Sequence, residues 1–402
     1  MKSILLIIGS IIVCTTNFYA QQTPKYFEQK YNIASDAMEF RKVMPTTDGN
    51  YLLVGNYINY NISKWNPCLT KVNAYGDTLW HKSYTNGNKE FTFWDIVATN
   101  YGYALAANQS DSYIVDTCGS YALFIDTEGN ILSQADTPDE EFDSYAWKIT
   151  NALDGGYLLS GYIVDYDYEW RVTKLNAFGI VEWDSIYVLP VHSNQIRDVI
   201  PARDGSGYYL CGFVDWDWFG FPYRQADMAL MKIDLNGVPQ WYKQYDPAED
   251  DRAIGVIQTA DGGFILGGGI APEQVIRAGL LKVDSLGNEE NGWWHIYLTE
   301  QKSEVAKITE LPNHTLVCAG NTSDVLNLPP NPWDFQGYLQ KVDSVGNLLW
   351  RRIYGNERDD YIYDMIPLAQ NEGYIMVGRS EYVQNDTAKT YGWVVKTNCM
   401  GL

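Results

Sequence analysis

Two short residue patterns recur along this chain at one spacing, and that recurrence limits the possible folds more than any other feature. The first pattern is a turn, an aromatic residue and a short apolar run ending on Gly. It appears as Asp48-Gly49-Asn50-Tyr51 to Gly55, Asp154-Gly155-Gly156-Tyr157 to Gly161, and Asp261-Gly262-Gly263-Phe264 to Gly268. Looser copies begin at Tyr101, Gly207, Leu316 and Gly373. Asp and Gly together are hairpin chemistry, because both tolerate the positive φ that tight turns need. The second pattern is an apolar strand ending in Lys-apolar-Asp/Asn, a turn containing Gly, and then Trp. Its copies include Lys71-Val72-Asn73 with Gly76 and Trp80, Lys174-Leu175-Asn176 with Gly179 and Trp183, and Lys341-Val342-Asp343 with Gly346 and Trp350. Equivalent aromatics of the first pattern stand 51 to 58 residues apart. A fixed period of that length marks a repeat architecture, one supersecondary unit per repeat.

Each repeat reads as four strands. In the fifth they are Ala253–Thr259, Phe264–Gly269, Gly279–Asp284 and Trp293–Leu298, with alternation, β-branched residues and punctuating turns, and helical periodicity is absent. Such units stack radially, because one blade cannot bury both faces alone. The chain is therefore predicted to be all-β, a seven-bladed β-propeller of four-stranded antiparallel blades over residues 21–402. The predicted blade repeats are 37–88, 89–142, 143–192, 193–250, 251–302, 303–358 and 359–402. The fourth strands pair an aromatic with Tyr four residues later, as in Trp80/Tyr84, Trp183/Tyr187, Trp241/Tyr245, Trp293/Tyr297 and Trp350/Tyr354. In a strand, i and i+4 share a face, so both rings are expected to dock on the next blade. The second repeat lacks the Lys and the Trp. The seventh stops before its fourth strand, yet Phe27 and Tyr31 reproduce that strand near the start. Residues 25–32 are therefore expected to complete the last blade and close the ring, which removes a free sheet edge.

Residues 1–20 have the layout of a secretory signal peptide: Lys2, the apolar run Ile4–Val13, and a small residue, Ala20, before Gln21. Secretion to the extracellular space, cell surface or periplasm is expected, with no transmembrane anchor, since the run is short for a bilayer. Loss of Lys2 takes the formal charge from −21 to −22. Such acidity offers nothing to nucleic acid and suits a soluble monomer. Of the cysteines beyond residue 20, Cys211 and Cys318 are expected to be buried thiols, while Cys68 and Cys118 are placed in loops where a disulfide is conceivable.

In an antiparallel blade, alternate connections emerge on one side, so the tight turns share one face and the long loops the other. Recognition is expected on the long-loop face. Its candidate ligand-binding residues are Asp165, Tyr166 and Asp167, then Asp215, Trp216, Asp217 and Trp218, and Trp333. Aromatic rings beside carboxylates suit the stacking and hydrogen bonding of sugars; the same residues also fit local packing with solvated carboxylates. No cofactor is expected. Clustered carboxylates could hold Ca²⁺, but no Asp-x-Asp-x-Asp-Gly loop is present. No nucleophile elbow, metal-ligand His pair or phosphate loop is present either.

The motifs Asp154 to Gly161 and Lys341 to Trp350 resemble the repeats of bacterial secreted propeller proteins, many of which look like type IX secretion cargo. That resemblance spans residues 25–401 and implies a cell-surface or released protein, although no sorting domain follows the last repeat. The Trp-docking motif is also similar to that of quinoprotein-like propellers, which supports the fold without implying a quinone. The expected function is a non-catalytic binding or adhesion scaffold, for glycans or for an envelope or extracellular protein. The alternatives are a carbohydrate-active hydrolase using loop-face carboxylates and a structural scaffold in envelope assembly.

Overall fold

The computed structural model describes residues 26–402 apart from 34, 60–63, 86–88, 112–117, 139–141, 166, 191–192, 216–225, 298–301, 324–333, 356–357 and 385–386. Residues 1–20, where a signal peptide is expected, lie outside the described residues. So do Tyr166, Trp216, Asp217, Trp218 and Trp333.

The described residues form four-stranded antiparallel units and no α-helix, and no helix is long and apolar enough to cross a membrane. Blade 1 runs Ala37–Pro45, Tyr51–Asn59, Lys64–Val72 and Thr78–Ser83. Blades 2 to 6 begin at Lys89–Thr99, Asp143–Asn151, Gln195–Pro201, Arg252–Gln258 and Ser303–Glu310, each followed by three further strands in sequence order. Blade 7 consists of Asp360–Pro367, Gly373–Gln384 and Thr387–Asn398, with Phe27–Tyr31 as its fourth strand. That last strand pairs Phe27 with Lys396, the register in which Trp80 pairs Lys71 and Trp350 pairs Lys341. The N-terminal strand is thus a true copy of the others, supplied from the opposite end of the chain. Blade 7 also reaches blade 1 directly, where Ala37 pairs Thr390.

Both sequence motifs have physical causes. The Asp or Asn of the second motif closes its own turn. Asp284 Oδ1, for example, accepts the N–H groups of Leu286 and Asn288 (both 2.8 Å), and Asn398 does the same for Met400 and Leu402. The Lys before it reaches the turn Asp of the first motif in the same blade. Lys71 meets Asp48 at 2.7 Å, Lys174 meets Asp154 at 2.8 Å, and Lys282 meets Asp261 at 2.7 Å.

Core burial is distributed in wedges. Seven hydrophobic clusters are found among the described residues, and each joins two successive blades; one of them joins Tyr31, Phe40 and Val54's neighbour Leu53 to Ile375 and Val377 across the closure. In every blade but the second, which has Thr137 at that position, the fourth-strand Tyr fastens the wedge at its rim. Its hydroxyl donates to the carbonyl of the neighbouring blade's turn glycine: Tyr31 to Gly76 (2.7 Å), Tyr84 to Gly129 (2.7 Å), Tyr187 to Gly237 (2.9 Å), Tyr245 to Gly287 (2.9 Å), Tyr297 to Gly346 (2.7 Å) and Tyr354 to Gly401 (2.7 Å). At Gly237, φ is +78° and an added Cβ would stand 2.8 Å from the Trp183 ring, so glycine is required there twice over. Trp80, Trp241 and Trp350 likewise pack on the turn glycines of their neighbours, and Phe27 on Gly76. Two blades differ. Blade 2 has Ser133 at the Trp position, opposite Phe124, and Phe124 fills the space at Gly179 instead. In blade 5, His295 takes the place over Gly346, while Trp293 stacks edge-on against His295 at 4.6 Å and joins the cluster beneath.

Near the axis a second device joins blades. Asn56, Asn108 and Asn321 each bond both backbone groups of a first-strand residue in the next blade: Phe93, Ala146 and Ile362.

Cys68 lies within a strand, opposite Gly55 and Ser83, rather than in a loop, and neither it nor Cys118 is in a disulfide. The apolar partners that the strand requires at that position bury the thiol. Burial pushes Cys118 and Cys318 up to about 12, and Cys68 and Cys211 higher still.

Candidate ligand-binding site in the central channel

Every first strand carries a register shift at the same point, where two consecutive residues oppose one on the second strand. A bulge of this kind re-aims side chains. Here it turns the pairs Arg41-Lys42, Trp94-Asp95, Trp147-Lys148, Arg197-Asp198, Ile254-Gly255, Ala306-Lys307 and Tyr363-Asp364 onto one axial cavity of about 320 Å³.

The second members form a ring of charge. Lys42 lies 3.2 Å from Asp364 and 3.5 Å from Asp95; Lys148 lies 3.5 Å from Asp95 and 3.1 Å from Asp198. Each aspartate also accepts a backbone N–H from the next blade, Asp364 from Val43 (3.1 Å), Asp95 from Ile149 (3.2 Å) and Asp198 from Val256 (3.1 Å). Burial opposes the charge on Lys148, but Asp198 and Asp95 outweigh it and hold the ammonium well above its usual range. Buried ion pairs contribute little net stability once desolvation is counted; what they do here is fix which residues remain available. The ring is broken at blade 5, where Gly255 stands in place of a charged residue. On the far side of that gap is Lys307, which makes no ion pair among the described residues. Lys42, burial and Lys148 together push its ammonium down to about 8, against the pull of Asp364 and Asp198.

The first members form an aromatic and cationic arc above the ring. The Arg41 guanidinium lies 4.2 Å from the Tyr363 ring and 4.6 Å from Trp94; Trp94 and Trp147 meet edge-on at 4.1 Å, and Arg197 lies 5.0 Å from Trp147. The arc ends at Ile254 and Ala306, whose short side chains leave the space open beside blades 5 and 6. A second cavity of about 380 Å³ shares Arg41, Trp94 and Trp147 as its wall. It extends outward over blades 1 to 3 between Trp65, Tyr145 and Tyr162, with Glu39, Glu90, Asn108 and Gln109 among the polar edges. Those residues lie at the ends of strands bordering the long connections, so the mouth opens on the long-loop face. The two cavities form one groove.

The candidate loop residues that are described stand elsewhere. Asp167 is used by the scaffold: its Oδ1 accepts the N–H of Tyr168 (2.8 Å) and of Ser193 (2.6 Å), tying the loop to the next interblade connection. Asp165 follows the second strand of blade 3, and Asp215 adopts a positive φ of 59° beyond that of blade 4. Neither lines the axial cavity or the groove. Of the acidic interblade pairs, Asp251 is fully buried and accepts the N–H groups of Ala248 (2.8 Å) and Ala271 (3.2 Å); burial pushes its carboxyl up to about 7. Among the described residues no group of His, Cys, Asp and Glu could hold a metal ion. The sequence motifs point to the long-loop face and not to the bulge pairs. Their only trace in the sequence is positional: the bulged residue stands 9 to 11 positions before the start of the first repeated pattern's apolar run, as Trp147 precedes Tyr157 and Arg197 precedes Tyr208.

No family model and no curated protein sequence matches the chain. Among solved structures, the polysaccharide lyase Uly1 superposes with a TM-score of 0.53 at 11% identity, covering 96% of this chain and 94% of that one. Sqt1 from Chaetomium thermophilum gives 0.52 at 9% identity, covering 94% and 97%. BBS1N, solved in complex with ARL6DN, gives 0.51 at 11% identity, covering 93% and 96%. At such identities the likeness is one of fold, and the fold is a β-propeller.

Proposed function

We propose that this protein is a secreted binding scaffold that grips a glycan chain in the groove at the long-loop mouth of its channel. The observation that carries the reading is the continuity of the two cavities through Arg41, Trp94 and Trp147. An extended groove with flat aromatic walls and a few polar groups at its edges suits a ligand whose units repeat, each offering an apolar ring face and a rim of hydroxyls. A leader at residues 1–20 and kinship with bacterial secreted repeat proteins belong to the same proposal, and Gln21 as the first residue of the exported protein would support it.

A hydrolase reading has less support. A glycosidase needs one carboxyl poised as an acid beside a second carboxylate. Asp95, Asp198 and Asp364 are each committed to a backbone N–H and a lysine. Asp251, whose carboxyl is raised, lies away from the channel cavity. Binding without turnover is therefore the reading adopted. A glycan array followed by calorimetry tests it: Trp94→Ala and Trp147→Ala are each expected to weaken the best ligand at least tenfold, with no release of reducing ends. The reading fails if no glycan binds, or if both variants bind as tightly as the parent. A neighbour of the same fold, Sqt1, has been solved bound to the N-terminus of the ribosomal protein L10, so peptide capture without glycan binding is a further outcome that would overturn it.

A further inference from the structure

We infer that the inner end of the groove is an anion site, in which Lys307 and Arg197, either side of Gly255, receive the carboxylate of an acidic sugar. The inference rests on the glycan reading and names the class of glycan. Four facts carry it. Lys42 and Lys148 are neutralised by the ring aspartates. Lys307 and Arg197 have no carboxylate within ion-pair distance among the described residues, although both line the axial cavity. The blade between them, blade 5, contributes Ile254 and Gly255 there, so the space that a ring carboxylate would occupy is open. Asp198, the nearest carboxylate to that space, would be 3.6 Å from a Cβ at Gly255 and already serves Lys148 and Val256. In a protein of net charge −21, two cavity-lining cations that feel carboxylates only from beyond ion-pair distance stand out. An anion between them would lower the repulsion that Lys307 feels from Lys42 and Lys148. Glu304 also lines the cavity and attracts the Arg197 guanidinium, so an incoming carboxylate competes with it for that cation.

Calorimetric titration of the full chain with tetragalacturonate, with galactotetraose and with inorganic phosphate tests the inference. The parent protein is expected to prefer the acidic chain at least tenfold. Lys307→Met and Gly255→Asp, the latter supplying the missing ring carboxylate, should each bring that preference close to one, and Lys307→Arg should retain it. Should Lys307→Met fail to fold, Gly255→Asp decides, since φ at Gly255 is outside the left-handed region and an added Cβ has room. Neutral and acidic chains binding equally in the parent, or a preference that survives both substitutions, overturns the anion site while leaving glycan binding intact. Phosphate binding that depends on Lys307, with no glycan bound, keeps the anion site and overturns the glycan reading. Binding of none of the three overturns both.

Discussion

With Lys42 and Lys148 across the channel, and Asp364 and Asp198 pulling the other way, Lys307 gives up its proton near pH 8. A protonated lysine attracts an anion and a neutral one does not, so affinity for an acidic ligand is expected to be level below pH 8 and to fall above it. Lys307→Met should flatten that profile. Near pH 8, binding should also draw protons from solution, which titrations in buffers of different ionisation heat would register. Asp251 behaves in the opposite setting, a carboxyl whose burial raises it from 3.8 to about 7. The folded state then holds a proton that the unfolded chain releases near pH 4. Its contribution to stability is complete below pH 4 and is lost as pH rises to about 7. Melting temperature is expected to decline between about pH 4 and pH 7, and to decline less in Asp251→Asn. Neither residue was legible in the sequence. A mid-strand lysine and an interblade aspartate look like any others until the bulge and the burial are known.

Among the strands, the fourth of each blade is where stability can be measured locally. Trp350 packs on Gly401 and Tyr374, and Trp350→Ala is expected to cost about 3 kcal/mol in chemical denaturation, the lower end for a core aromatic because the ring is only partly buried. Tyr187→Phe removes one interblade hydrogen bond and should cost about 1 kcal/mol. These docking positions could be read from the sequence because they follow a repeated spacing of Lys, Gly, Trp and Tyr. Blade 5 shows where spacing misleads. Two extra residues stand between Gly287 and Trp293, with Gly292 at φ +74°, and His295 rather than Trp293 meets the neighbouring glycine. The bulge pairs were hidden for a related reason. What they share is a backbone position, filled by residues as unlike as Arg41, Trp94 and Ala306, and no residue-type pattern follows them.

For the molecule as a whole, closure depends on five residues, Phe27–Tyr31. Removing residues 21–36 would take away the strand beside Thr387–Asn398, the Phe27 ring and the Tyr31 bond to Gly76. A melting temperature lower by at least about 10 °C is expected, with aggregation through the freed edge visible in light scattering. The closing strand was legible because Phe27 and Tyr31 repeat the spacing of five other strands. The channel was legible only as a face, since its chemistry comes from one or two residues of each blade that meet solely in the closed ring.

That ring has seven members, and seven is odd. Opposite charges can alternate without fault around six or eight positions, but around seven the pattern must fail once. Gly255 is where this chain lets it fail. The result is no longer a circle but a string with two ends. Asp198 is the negative end, and the N–H of Val256 answers it. Lys307 is the positive end, drawn by Asp364 and Asp198 but within ion-pair distance of neither. On this view the place of the anion site follows from parity: an odd number of blades obliges the alternation to break once, and although three charges of each sign remain, the break leaves the last lysine beside open space that a ligand can fill.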